Sequence, residues 1–269
     1  MTPDVWWLAY SMLGVFSGFM AGLLGVGGGA IMVPVLVMIF AAVGVPHEHV
    51  LHLALGTSMA TIVFTSLSSL RAHHAHAAVM WNVVRGFSPG IVAGTLLGTV
   101  IAAHVSTRGL AWFFSCFIAM VAFQMAFNLK PAASRGLPGD FGLAGVGTGI
   151  GAVSALAAIG GGSMTVPYLT WCNVSVQRAI GTSAAVGLPI SLAGTLGYLW
   201  NGSSQTGLPA AALGYVYLPA LVCLVATSML TAPMGARLAH RLPVATLKRA
   251  FAGLLVVLAG KMLWSVLAV

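Results

Sequence analysis

Acidic side chains are almost absent from this 269-residue chain: Asp4, Glu48 and Asp140 are the only three, and each stands at the end of an apolar run. A cation pump or a carboxylate-driven proton relay needs an ionisable acid at membrane depth, so this shortage argues against both. Charge of either sign is scarce. Asp, Glu, Lys and Arg together make up 5% of the residues, where soluble domains carry about 25%, and no globular surface can be covered with so few. Cysteine is scarce too: Cys116, Cys172 and Cys223 stand singly in apolar runs, an odd count at wide spacing that offers neither a disulfide framework nor a zinc pattern. They read as core packing. No basic residue precedes the first apolar run, which starts after Asp4 at Trp6-Trp7, so the N-terminus reads as a first span rather than a cleaved signal.

What fills the chain instead is apolar. Hydrophobic residues make up 59%, and the mean hydropathy is +1.02. Val5 to Pro46 and Ala179 to Ala236 contain no Asp, Glu, Lys, Arg or His, and each is long enough for two spans of about 20 residues and a turn. Cutting at polar and Gly/Pro clusters gives ten segments: 5–24, 30–45, 50–70, 80–103, 109–129, 141–159, 163–174, 178–200, 208–233 and 246–268. An open sheet would strand backbone donors in lipid, and the alternation of a barrel is missing, so the expected fold is an all-α polytopic membrane protein.

The eleven Lys and Arg fix the expected orientation, because cytoplasmic loops carry the basic excess. With ten segments, all of them fall on one side except Arg108, on the other, and Lys261, inside the last segment. Both termini are then outside. Trp6, Trp7, Trp81, Trp112, Trp171, Trp200 and Trp264 all lie near segment ends, as an interfacial belt requires. Lys261, close to Trp264, reads as snorkelling to the interface.

The chain repeats itself. Gly27-Gly28-Gly29-Ala30-Ile31-Met32-Val33-Pro34 returns as Gly160-Gly161-Gly162-Ser163-Met164-Thr165-Val166-Pro167, and each is followed by Gly-Thr-Ser, at 56–58 and 181–183. Five segments per half is odd, which makes the second half enter the membrane from the opposite side. Residues 1–129 are thus read as a first membrane repeat, 130–140 as a Pro/Gly-rich cytoplasmic linker and 141–269 as a second repeat. Inverted repeats of this kind commonly hold a substrate site near the midplane between them. Segment 163–174 is too short to span, which sets the Gly160–Gly162 break at membrane depth, where irregular backbone survives only against protein or a watery cavity.

A glycine run that opens a helix presents unpaired N–H groups at the positive end of the helix dipole and suits a small anion. The candidate substrate-binding residues are therefore Gly27, Gly28, Gly29, Gly160, Gly161 and Gly162, with the hydroxyls of Thr57, Ser58, Ser163, Thr182 and Ser183 as further donors. Close helix packing is the competing reading of the same small residues, as at Ala93-Gly94-Thr95 and Ala193-Gly194-Thr195. Arg85 is the candidate for a gating role at one face. No catalytic constellation, cofactor or metal site is expected, although His47, Glu48, His49 and His52 at one end and His73, His74 and His76 at the other leave a metal-handling protein or membrane enzyme as the alternative.

These motifs resemble the TauE/SafE family of sulfite and organosulfonate exporters, also called the four-toluene sulfonate uptake permease family. The resemblance rests on Gly-Leu-Leu-Gly-Val-Gly-Gly-Gly at 22–29, Gly160 to Pro167, both Gly-Thr-Ser triplets, Leu213-Gly-Tyr-Val-Tyr-Leu-Pro219, Gly235-Ala-Arg-Leu-Ala-His240 and Lys261-Met262. It covers nearly the whole chain. After Trp81, near which relatives often carry an acid, this chain has Asn82 and Arg85. The resemblance implies a bacterial inner-membrane permease for sulfite or an organic anion, working by alternating access. Its partners would be a small anionic substrate and the lipid bilayer, with self-association into a homo-oligomer allowed and no nucleic acid.

Overall fold

A computed structural model of the chain describes residues 3–24, 28–127, 135–239 and 245–267. Gly27 and, within the expected linker, Lys130 and Ser134 lie outside the described residues. In chain order the elements are α1 (Pro3–Leu24), α2 (Gly29–Val43), α3 (His47–Ala75), α4 (Trp81–His104), α5 (Thr107–Ala126), α6 (Asp140–Ala157), α7 (Gly162–Trp171), α8 (Val176–Gly202), the two-residue strands β1 (Ala212–Leu213) and β2 (Val216–Tyr217), α9 (Leu218–Ala239) and α10 (Ala245–Leu267). The ten helices fall on the ten expected segments, and the chain is an all-α polytopic membrane protein. Among the described residues, seven of them (α1, α3, α4, α5, α6, α8 and α9) are long and apolar enough to cross a bilayer.

The ninth segment begins later than hydropathy alone suggests. Residues 208–217 form a turn and the β1–β2 hairpin, with Ala212 paired to Tyr217 and Leu213 to Val216, before the helix opens at Leu218. Gly214 takes a left-handed φ of 52° there, and Tyr215 N–H donates to the carbonyl of Tyr198 at 3.3 Å. The segment is apolar because this irregular stretch is tucked against protein: Tyr215 and Val216 are buried.

Two short helices interrupt the pattern. α2 has 15 residues and α7 has 10, so α7 reaches about 15 Å against a hydrocarbon core of about 30 Å. Both end the same way. Gly44 (φ 91°) and Asn173 (φ 63°) sit in the left-handed region, and the following N–H groups turn back, Val45 to Phe40 O at 3.0 Å and Val174 to Leu169 O at 3.0 Å. These are Schellman stops, which satisfy carbonyls that a helix end would otherwise leave open.

The long helices α3 and α8 form the centre, and they are the most buried of the spans, at 83% and 72% of their apolar windows. They run antiparallel. The N-terminal His49 of α3 bonds to Thr206, beyond the C-terminus of α8, while Ala78 beyond the C-terminus of α3 lies against Gly181 in the second turn of α8. Because α3 and α8 carry the equivalent Gly-Thr-Ser triplets, the halves are inverted with respect to each other.

The halves also interlock. α1 packs along α9, and α6 along α4, so each half's first helix lies on the other half's fourth. Small residues every four positions make this approach close: a Cβ at Gly18 would collide with backbone at Ser228, and one at Gly90 or Gly94 with the Ala144 or Thr148 carbonyl. Contact between helix backbones replaces hydrophobic drive in lipid, and the packing reading of Gly94 is the one this interface supports.

Candidate substrate site at the two helix breaks

Gly28 and Gly161, at the heads of the two short helices, adopt one geometry. Gly28 and Gly161 are the N-caps of α2 and α7, both at φ 78° and ψ −16°, a left-handed conformation that costs L-residues roughly 1–2 kcal/mol. Each caps with its carbonyl: Gly28 O accepts from Ile31 and Met32 N–H at 3.1 Å, and Gly161 O from Met164 and Thr165 N–H at 3.1 and 2.8 Å. The N–H groups of Gly29 and Ala30, and of Gly162 and Ser163, have no acceptor within their own helices and point outward along the helix axes.

The breaks meet. Gly29 lies so close to the Ala158 carbonyl, just ahead of the second break, that any Cβ would collide with it. Ala158 itself is held at φ 46°, a strained conformation for a non-glycine residue of the kind that concentrates at functional sites. From α8, Gly187 reaches the second break, and a Cβ there would stand 3.0 Å from Gly160 O and 2.8 Å from Ser66 Oγ of α3. From α3, Ile62 lies against the first break, its Cδ1 3.1 Å from the position of a Gly29 Cβ. The central helices thus bring both breaks together. Ser58, Ile62 and Ser66 share one face of α3 at four-residue spacing, and Ser183, Gly187 and Ser191 repeat that face on α8.

The Gly-Thr-Ser triplets have a structural task that spacing does not reveal. Thr57 Oγ1 accepts from Tyr217 N–H at 2.9 Å, and Thr182 Oγ1 accepts from Met80 N–H at 3.1 Å. Tyr217 and Met80 immediately precede α9 and α4, so each threonine caps the N-terminus of a helix of the other half. The preceding glycines let those chains in, Gly56 against the Tyr215 carbonyl and Gly181 against that of Ala78. Thr57 and Thr182, expected as substrate donors, therefore spend a lone pair on the fold, and their O–H protons are what they have left to offer. The following serines differ. Ser58 is fully buried and its Oγ has no hydrogen-bond partner among the described residues; Ser183 is equally buried. At the second break Ser163 Oγ and Thr165 Oγ1 are buried, again without a partner among the described residues. Thr165 was not among the sequence candidates; its only signal was its place in the repeat, opposite Met32.

A model of the sulfite exporter TauE/SafE family matches residues 10–262. The chain belongs to this family. A probable membrane transporter protein of Haemophilus influenzae is 36% identical to it over 250 residues, which cover 92% of this chain and 94% of that one. A probable membrane transporter protein of Methanocaldococcus jannaschii is 25% identical over 86% of this chain and 85% of its own. One of Bacillus subtilis is 26% identical over 90% and 93%. No solved structure gives a significant match.

In this TauE/SafE chain five of the described arginines line three clefts at one end, while Arg108 stands at the other. Arg71 and Arg237 share one. Arg85 shares a second, of about 520 Å³, with Asn82 and Asp140. Arg135 and Arg178 share a third, of about 720 Å³, with Met80, Asn173 and Ser175, and the Arg135 guanidinium lies 4.7 Å above the Trp171 ring. Arg85 is exposed on the first turn of α4, apart from the breaks and with an acid beside it. The third cleft pairs two cations with no acid in its lining and adjoins Met80, the residue that Thr182 caps.

The histidines disperse rather than converge. His47 Nε2 donates to Val266 O at 3.1 Å, His49 Nε2 to Thr206 O at 3.0 Å and His52 Nε2 to Ala102 O at 2.9 Å. Each imidazole ties α3 to a different element. Among the described residues, no three His, Cys, Asp or Glu side chains come together as a metal would need.

Proposed function

We propose that this membrane transporter moves a small oxyanion, sulfite or an organosulfonate, by alternating access around the two glycine breaks. The observation that carries the reading is the pair of α2 and α7 N-termini, alike in geometry, brought against each other beneath α3 and α8, with the Ser163 and Thr165 hydroxyls buried at the second break and unpartnered among the described residues, and the likewise unpartnered Ser58 one turn from Ile62 on the α3 face that meets the first. Unpaired N–H groups, the positive ends of two helix dipoles and free hydroxyls all favour negative charge. Glu48 and Asp140 lie at helix ends, so neither opposes an anion at the breaks. The membrane would be the bacterial inner one, with both termini in the periplasm, residues 130–140 in the cytoplasm, and residues 1–129 and 141–269 as the two inverted repeats.

Proteoliposomes test this directly. Purified protein should carry radiolabelled sulfite or an alkanesulfonate down a gradient, saturably, with cross-inhibition between them and none by choline or sodium. Saturable flux of a cation with no anion flux would overturn the reading.

A further inference from the structure

The scaffold of the site is twofold symmetric, but its lining is not. Of the repeat-equivalent positions around the breaks, Ser66 and Ser191 match, whereas three other pairs differ, all in the same sense. Where the second half has Ser163 and Thr165, the first has Ala30 and Met32; where α8 has Gly187, α3 has Ile62. All three first-half side chains are apolar and essentially fully buried. The Met32 Cε stands 3.0 Å from the position of a Gly28 Cβ, as the Thr165 Oγ1 stands 3.4 Å from that of a Gly161 Cβ.

Among the described residues two helical threonines, Thr95 and Thr165, have a buried Oγ1 without a partner; Thr95 faces Gly151 in the α4–α6 contact, and Thr165 lies at a break. Thr61, Thr148, Thr170, Thr195 and Thr227 each donate to the carbonyl four residues back, the habitual refuge of a hydroxyl in an apolar helix. Thr165 has the Gly161 carbonyl in the corresponding place but turns its Oγ1 toward the break instead, and there it has no partner although its exposure is 0%. Ser163, at 9%, is likewise unpartnered. A buried, unmet hydroxyl is costly, and two of them at one helix N-terminus are relieved by an acceptor that arrives from outside.

Resting on the transport reading above, we propose that the site is polarised: Thr165, with Ser163, binds the anionic head at the α7 break, while Met32 and Ile62 at the α2 break receive the apolar part of the substrate. Thr165 and Met32 are then its specificity-determining residues, and the preferred cargo is an oxyanion bearing a small apolar substituent.

The test is competition in proteoliposomes with methane-, ethane- and propanesulfonate. The wild type should bind roughly fourfold more tightly per added methylene. Thr165→Val, equal in volume, should weaken all three sulfonates by one common factor of about tenfold or more and keep the chain-length gain, and Thr165→Ser should restore affinity. Met32→Thr should flatten the gain while sparing methanesulfonate, and Met32→Leu should preserve it. Thermal stability of each variant in detergent excludes misfolding as the cause. A wild type that transports sulfite but ranks the three sulfonates equally, or a Thr165→Val variant with unaltered affinities, overturns the polarity and leaves the transport reading standing. A wild type that moves neither sulfite nor any sulfonate overturns both.

Discussion

Ser58 and Thr57 are neighbours in one motif with opposite consequences on substitution. Thr57 Oγ1 is an acceptor for Tyr217 N–H, so Thr57→Val removes a helix cap. Ser58 and Ser163 hold hydroxyls that no described residue satisfies, and burial of such a group costs about 1–3 kcal/mol. Ser58→Ala and Ser163→Ala should accordingly leave the melting temperature unchanged or raised. If they donate to the anion, they should weaken its binding by about tenfold to a hundredfold, as expected for a hydrogen bond to a charged partner of about 1.5–3 kcal/mol. Isothermal calorimetry beside a thermal melt separates the two quantities. Stability gained with affinity unchanged would remove Ser58 and Ser163 from the site. The glycines of the motif were legible as special because they recur; which hydroxyl caps a helix and which is left without a partner was not, since that depends on residues as distant as Tyr217.

At the scale of elements, the reciprocal caps join α3 to α9 and α8 to α4. An N-terminal cap contributes typically about 1 kcal/mol, and the two are equivalent by the repeat. Thr57→Val and Thr182→Val should each lower stability by about that amount, and the double variant by about the sum, because the caps share no partner. Denaturation in mild detergent, followed through tryptophan fluorescence, measures this. A threonine whose loss costs nothing would show that its hydrogen bond only accompanies packing set by Gly56 or Gly181. Helix existence and most helix ends were readable here, because apolar length, Gly44 and the Gly28 and Gly161 breaks act locally. The late start of α9 was not readable. The hairpin at 208–217 is as apolar as a span, and only its burial against Gly56 and Tyr198 distinguishes it.

For the whole molecule, antiparallel α3 and α8 and the gathering of Arg71, Arg85, Arg135, Arg178 and Arg237 in adjoining clefts at one end set a single expected orientation. In the orientation proposed above, the basic end would face the cytoplasm, and His47, Thr107 and the hairpin would face the periplasm. Alkaline phosphatase fused after Val269 should be active and green fluorescent protein there dark, with the reverse for sandwich fusions at Ser134. A fluorescent C-terminal fusion would place the termini inside and turn the basic end outward. If transport alternates as proposed, the packing of α1 on α9 and α6 on α4 would prevent one half from rocking as an independent body, and the interlocked pairs α1–α9 and α4–α6 would be the units to move around α3 and α8.

The sequence by itself determined the class, the ten helices, the repeat, its inversion and the glycine breaks. Each of these follows from a property that acts over a few neighbouring residues: hydropathy over a span length, the conformational freedom of glycine, the side on which a basic loop falls. Tertiary structure alone decided that the breaks touch, with Gly29 against Ala158, and that Thr57 and Thr182 cap helices of the opposite half. It alone left Thr165 unpartnered while most of its fellow threonines bond to their own helices. A hydroxyl's role is set by what surrounds it once water is gone, and those surroundings come from parts of the chain more than a hundred residues away.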